Sequence, residues 1–158
     1  MADYETLVDG VRAGVEVVLL DAGQNGLAQM ALWAHGHSGY AASHVLSHRS
    51  DAKIQLGQFP LSNANLNTSQ VQSELLILGQ SLTINGDLLI YGCDVAQDAN
   101  GQAFISALAA ITTKDVAASL DPTGKDGNWN LEYQKGPIDT FALDVEAYSY
   151  ELASGTIT

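Results

Sequence analysis

LLIYGCDVA, residues 88–96, is the stretch whose reading decides the fold. Leu88, Leu89, Ile90 and Tyr91 are apolar in succession, with no alternation that would leave one face for water. A strand of this kind is covered on both faces, as in a parallel sheet lying under helices. The run ends at Gly92, at Cys93, which is the chain's one cysteine, and at Asp94. Glycine there would let the chain leave the sheet. In an open parallel sheet, ligand sites lie beyond the carboxyl ends of the strands. Cys93 is therefore presented where chemistry is usually done.

The same pattern extends to either side. VEVVLLD (15–21) reads as a continuous β-branched strand, and AGQNG after it reads as a turn. GLAQMALWA (26–34) sets Leu27, Met30, Ala31 and Ala34 on one helical face, and AASHVLSH (41–48) returns as a strand. SQVQSELLILGQSL reads as a helix with Ser69 and Gln72 at capping-box spacing. NGQAFISALAAIT is a helix carrying Phe104, Leu108 and Ile111, DVAASLD (115–121) is a strand, and NWNLEYQ (128–134) alternates like a hairpin or edge strand. On that strand Trp129 and Tyr133 share a face and read as core. Apolar strands separated by amphipathic helices predict an α/β class: a three-layer α/β/α sandwich with a mostly parallel sheet. The length of 158 residues predicts one domain over 1–158, with no internal repeat.

Composition narrows the function classes. Six basic residues against 18 acidic give a net charge of −12, a surface that repels phosphate backbones and anionic lipid. Nucleic-acid binding is not expected. Neither is membrane insertion, because no apolar run approaches the ~20 residues a spanning helix needs. One cysteine excludes an internal disulfide. MADYETLVDGVRAG has no basic-then-apolar layout, so no signal peptide is visible in the chain.

His48 closes one predicted strand and Cys93 another. If the strands are neighbours, imidazole and thiol open into one crevice, where histidine can raise the thiolate fraction and adjacent backbone N–H groups can hold an oxyanion. Set against this, a lone cysteine is more often a buried inert thiol, and a lone histidine a hydrogen-bonded structural one. His35, His37, His44 and His48 invite a zinc reading, but no thiol or carboxylate stands at ligand spacing, so no metal is expected. DPTGKDGNWNLE fails as a calcium loop at Lys125, and NGQAF lacks the spacing of a phosphate loop, so no cofactor is expected. Asp94 and Asp121 fall near the same sheet edge, where a carboxylate could select a basic residue. Asp121 also suits the start of the turn DPTG.

VLSHRSDAKIQLGQFPLSNANL, GDLLIYGCDVAQDANGQAFISALAAIT and DVAASLDPTGKDGNWNLEY together resemble a bacterial domain-of-unknown-function family. That family stands near the start of very large secreted repeat proteins and adhesins, and is similar to the caspase, gingipain and clostripain cysteine peptidases. The resemblance runs over about residues 16–138. It implies a caspase-like fold and a secreted or cell-surface setting. It also implies a dyad of His48 and Cys93, with the Arg49 and Cys93 backbone amides as oxyanion donors. Asp94, Asp121 and Arg49 would then contact a protein or peptide substrate, the parent chain included.

Two features depart from the family pattern. Arg49 stands where the family has glycine after the histidine; it either intrudes on the cleft or lowers the thiol pKa and recognises an acidic group. The family also opens with a further hydrophobic strand, which MADYETLVDG does not resemble. The sheet then lacks an edge strand, or a partner supplies it. The expected function is a cysteine endopeptidase-type domain, self-processing in one version. The alternative is a catalytically inactive caspase-like module serving protein–protein interaction or assembly on the cell surface.

Overall fold

The computed structural model describes residues 3–50, 52–145, 148 and 152; of 49 and 50 it describes the backbone alone. The elements run α1 (Tyr4–Gly10), α2 (Gly26–His35), β1 (Tyr40–Leu46), β2 (His48–Ser50), β3 (Lys53–Leu56) and β4 (Phe59–Ser62). They continue with α3 (Ser69–Gln80), β5 (Leu82–Tyr91), α4 (Ala99–Thr112), β6 (Asp115–Ala118) and β7 (Tyr133–Lys135).

The main sheet is mixed, in the order β1-β5-β6-β7. β1 and β6 flank β5 in parallel, and β7 closes the far edge antiparallel to β6. β2, β3 and β4 form a separate antiparallel ribbon, for which the sequence analysis offers no element. The apolar strand of residues 87–91 is central, with Leu88 to Tyr91 at most 2% exposed. The α/β class and the parallel heart of the sheet therefore match the pattern.

Helix starts are set by short polar side chains that satisfy otherwise orphaned N–H groups. Asn25 Oδ1 accepts from the Ala28 amide at 3.0 Å, and Asp98 Oδ1 accepts from that of Gly101 at 2.8 Å. For α3 the cap is Thr68, which accepts from the Val71 amide at 3.4 Å, one residue ahead of the expected Ser69. All three helices pack on one face of the sheet. Leu27, Leu75, Phe104 and Leu108 meet Val45, Leu88, Ile90 and Val116 there. Each fully buried leucine contributes about 2 kcal/mol by leaving water.

The opposite face is covered differently. Leu89, Tyr91, Cys93 and Ala117 pack under Leu7 of α1, Trp129 and Leu131, and under Leu143, Val145, Tyr148 and Leu152 of an irregular C-terminal strap. A short helix and extended chain thus take the place of the second helix layer among the described residues. Two further expectations are corrected. Residues 15–21 enter no ladder among the described residues; most of their side chains are exposed, and Val15 and Leu20 are half-buried. Trp129 and Tyr133 do not share a face: Trp129 joins the strap-side core, while Tyr133 packs on the helix side.

Candidate functional site

β1 and β5 end side by side. Leu46 lies opposite Tyr91, and the Ser47 amide donates to the Tyr91 carbonyl at 2.9 Å, one residue past the ladder. Beyond this point the two chains part. After Ser47 the backbone enters the ribbon, where His48 pairs with Gln55 and Arg49 with Ile54. The Ser47 hydroxyl holds that departure, donating towards the His48 and Gln55 carbonyls at 2.9 and 3.1 Å and accepting from the Gln55 amide at 2.9 Å. The His48 residue is half-buried. The Arg49 side chain, expected at the cleft, lies outside the described residues.

After Tyr91 the chain turns at 93–96. Gly92 is needed here for closeness: a Cβ on it would press on Val95 and on the Ser47 carbonyl at 3.1 and 3.3 Å. The left-handed residue of the turn is Asp94, with φ 57°. The Gly92 carbonyl accepts from the Ser119 hydroxyl and, at 3.4 Å, from that of Thr123. This tight turn sends the Cys93 side chain down into the strap-side core.

Cys93 is 1% exposed. Its sulfur lies 3.7 Å from the Thr123 carbonyl, to which the thiol donates, and accepts from the Thr123 amide at 3.4 Å. The Thr123 carbonyl also accepts from the Leu152 amide at 2.8 Å, so the strap closes over the same spot. Thr123 sits in a turn that permits no bulk. A Cβ on Gly127 would fall inside the Pro122 carbonyl.

Asp94 and Asp121 do come together, as the reading of the sheet edge expected. The Asp94 amide donates to the Asp121 carbonyl at 3.2 Å. Their carboxylates differ in setting. That of Asp121 accepts from Asn128 Nδ2 at 3.2 and 3.0 Å, the contact expected of a turn-forming aspartate. That of Asp94 accepts from Gln97 Nε2 at 3.4 Å in an exposed position.

A second polar constellation on this face escaped the sequence reading. Tyr91 Oη is hydrogen-bonded to His44 Nδ1 at 3.0 Å and accepts from the Leu143 amide at 2.7 Å. Burial pushes the Tyr91 phenol up to about 12. Burial, with help from Arg12, lowers the His44 ring to about 4, although Asp87 opposes the shift. Asp87, fully buried, accepts from the amides of Asp139 and Thr140 at 3.0 and 2.8 Å. Arg12 donates to the Phe141 and Ala142 carbonyls at 2.8 and 2.9 Å. These three side chains clasp the strap. The available signal was a buried-strand Asp87 and Tyr91 four residues apart, on one side of an otherwise apolar run.

Beside the clasp opens a groove of about 630 Å³ lined by Arg12, Lys125, Asn128, Trp129, Phe141 and Tyr148, among others. Neither His48 nor Cys93 is among its described lining residues. His37 stacks on Trp33 at 4.2 Å, away from both. Among the described residues no group of three or more His, Cys, Asp or Glu is placed to hold a metal ion, and no helix is long and apolar enough to cross a membrane.

The structure thus defines an α/β domain whose central strand ends in a buried cysteine, beside a ribbon that carries a histidine. The chain belongs to the family described as Domain of unknown function (DUF4347), whose model matches residues 1–152. No curated protein and no solved structure matches it.

Proposed function

We propose that this chain is a caspase-like α/β module of a large secreted or cell-surface protein, acting through contacts with other protein segments, with Cys93 as a core residue of the resting fold. The observation that carries this reading is the seat of the sulfur. It is 1% exposed and hydrogen-bonded to both backbone groups of Thr123. Attack on a carbonyl needs an open approach to the sulfur, which the packing over Cys93 denies in this arrangement. The secreted or surface setting and the caspase-like relationship rest on the sequence resemblance.

A second reading, a cysteine endopeptidase, is favoured by one feature. The Ser47–Tyr91 hydrogen bond puts the chain exits that lead to His48 and Cys93 next to each other at the carboxyl edge of the sheet. In this reading His48 is the base and Cys93 the nucleophile. The Arg49 and Cys93 amides hold the oxyanion, and Asp94, Asp121 and Arg49 meet the peptide. Catalysis would require the turn at Thr123 and the strap to lift off the sulfur.

Thiol alkylation separates the two. For a core thiol, iodoacetamide at neutral pH labels Cys93 at least about tenfold more slowly than free cysteine. Urea restores the rate, and His48→Ala leaves it unchanged. Labelling faster than free cysteine, slowed by His48→Ala, would replace the module reading with the peptidase one.

A further inference from the structure

β1 is the end strand of the main sheet, and its outer edge is unpaired among the described residues. Only Val45 of its seven residues is buried. Residues 16–20, a β-prone apolar run, make no backbone–backbone hydrogen bond among the described residues. Val17, Val18 and Leu19 are 41, 42 and 63% exposed. The run lies near β1: Tyr40 O–H donates to Glu16 Oε2 at 2.6 Å, and Leu20 packs against the helix-side core. Residues 16–20, α2 and β1 follow one another in the chain in the order of a strand, a crossover helix and a strand.

Natural sheets blunt a free edge with lysine, proline, bulges or inward charges. YAASHVL of β1 carries none of these side chains, and residues 16–20 carry one charge, at Glu16. We propose that the β1 edge and residues 16–20 form a docking slot for one extended segment of a different polypeptide, rich in Val and Ile and ending in Lys or Arg. An added strand would lie beside the exposed Val17, Val18 and Leu19, and β-branched apolar side chains pack best on such neighbours. Its basic ends follow from charge. Glu16 and Asp21 flank the run, and the chain carries a net −12, so a second copy would be repelled while a basic-ended strand would be drawn in. The inference extends the interaction reading by giving it a surface and a partner chemistry.

Hydrogen–deuterium exchange on the whole chain tests it, with a lysine-capped Val/Ile peptide as probe. Binding is expected to slow the amides of residues 17–20 and 41–46 by about tenfold or more. Leu19→Lys, at a solvent-facing position, is expected to weaken binding about tenfold. Leu32→Lys, on an exposed part of α2, leaves binding unchanged, and circular dichroism verifies that both variants fold. Peptide binding that protects other amides and ignores Leu19→Lys would overturn the slot while leaving the interaction reading standing. Absence of binding, or a dimer that protects the same amides without peptide, would overturn it as well.

Discussion

Tyr91 shows how much one side chain can hold. Its hydroxyl is hydrogen-bonded to His44 and accepts from the Leu143 amide, so it ties an edge strand to the strap across the central strand. Tyr91→Phe removes both bonds and leaves a buried N–H without its acceptor, and an orphaned buried group costs about 1–3 kcal/mol. Urea denaturation of the variant should show that loss. The His44 ring adds a pH dependence whose sign follows from its shift. Its pKa falls from 6.5 to about 4 on folding, so the unfolded chain binds the proton first. The stabilisation is complete above pH 6.5 and declines as pH falls towards 4. Solvent screening of a half-exposed ring holds the total to about 2 kcal/mol. The difference in stability between pH 7 and pH 4.5 should therefore shrink in His44→Gln; an unchanged difference would mean that other groups carry the acid sensitivity.

Among elements, the strap depends on the strand beneath it. Asp87 accepts two amides of residues 139–140 from a fully buried position, where a lost acceptor would leave both N–H groups orphaned. Asp87→Asn should speed exchange at the amides of 139–143 by about tenfold while α4 stays protected. Equal acceleration everywhere would show that the strap and the sheet unfold as one unit. The strap was invisible in the sequence because it has no period of its own; its form is imposed by Arg12, Asp87 and Tyr91, which are remote in the chain. α2, α3, α4 and the central strand were legible because their apolar spacing and caps are local. The ribbon β2–β4 was not: KIQL and FPLS are too short to outweigh the Gly, Pro and Asn around them. Residues 15–21 misled for the converse reason. Their β preference is real, but among the described residues they enter no ladder.

For the whole molecule, 18 acidic residues against 6 basic make self-repulsion a standing term. Salt shortens its reach from about 30 Å at 0.01 M to about 10 Å at 0.1 M. The melting temperature should rise by about 2–5 °C over that range. A flat response would mean the charges sit too far apart to strain the fold. The candidate site was half legible at this scale. Strand-end placement made a shared crevice conditional on the two strands being neighbours; β1 and β5 are neighbours, but β1 ends at Leu46 and His48 lies in β2 rather than closing that strand. Which way Cys93 then points was not foretold, because the turn at 93–96 is held by Ser119 and Thr123, which lie in the segment after β6.

One consequence lies in Ser47. Its buried hydroxyl joins the end of the large sheet to the small ribbon, whose Ile54, Leu56 and Leu61 are wedged beneath the helices. The histidine thus lies on the ribbon and the cysteine in the turn after β5, and Ser47 links the two segments. A side chain too large beside Leu61 acts on the imidazole through the ribbon's own strands, and on the sulfur only through the packed core.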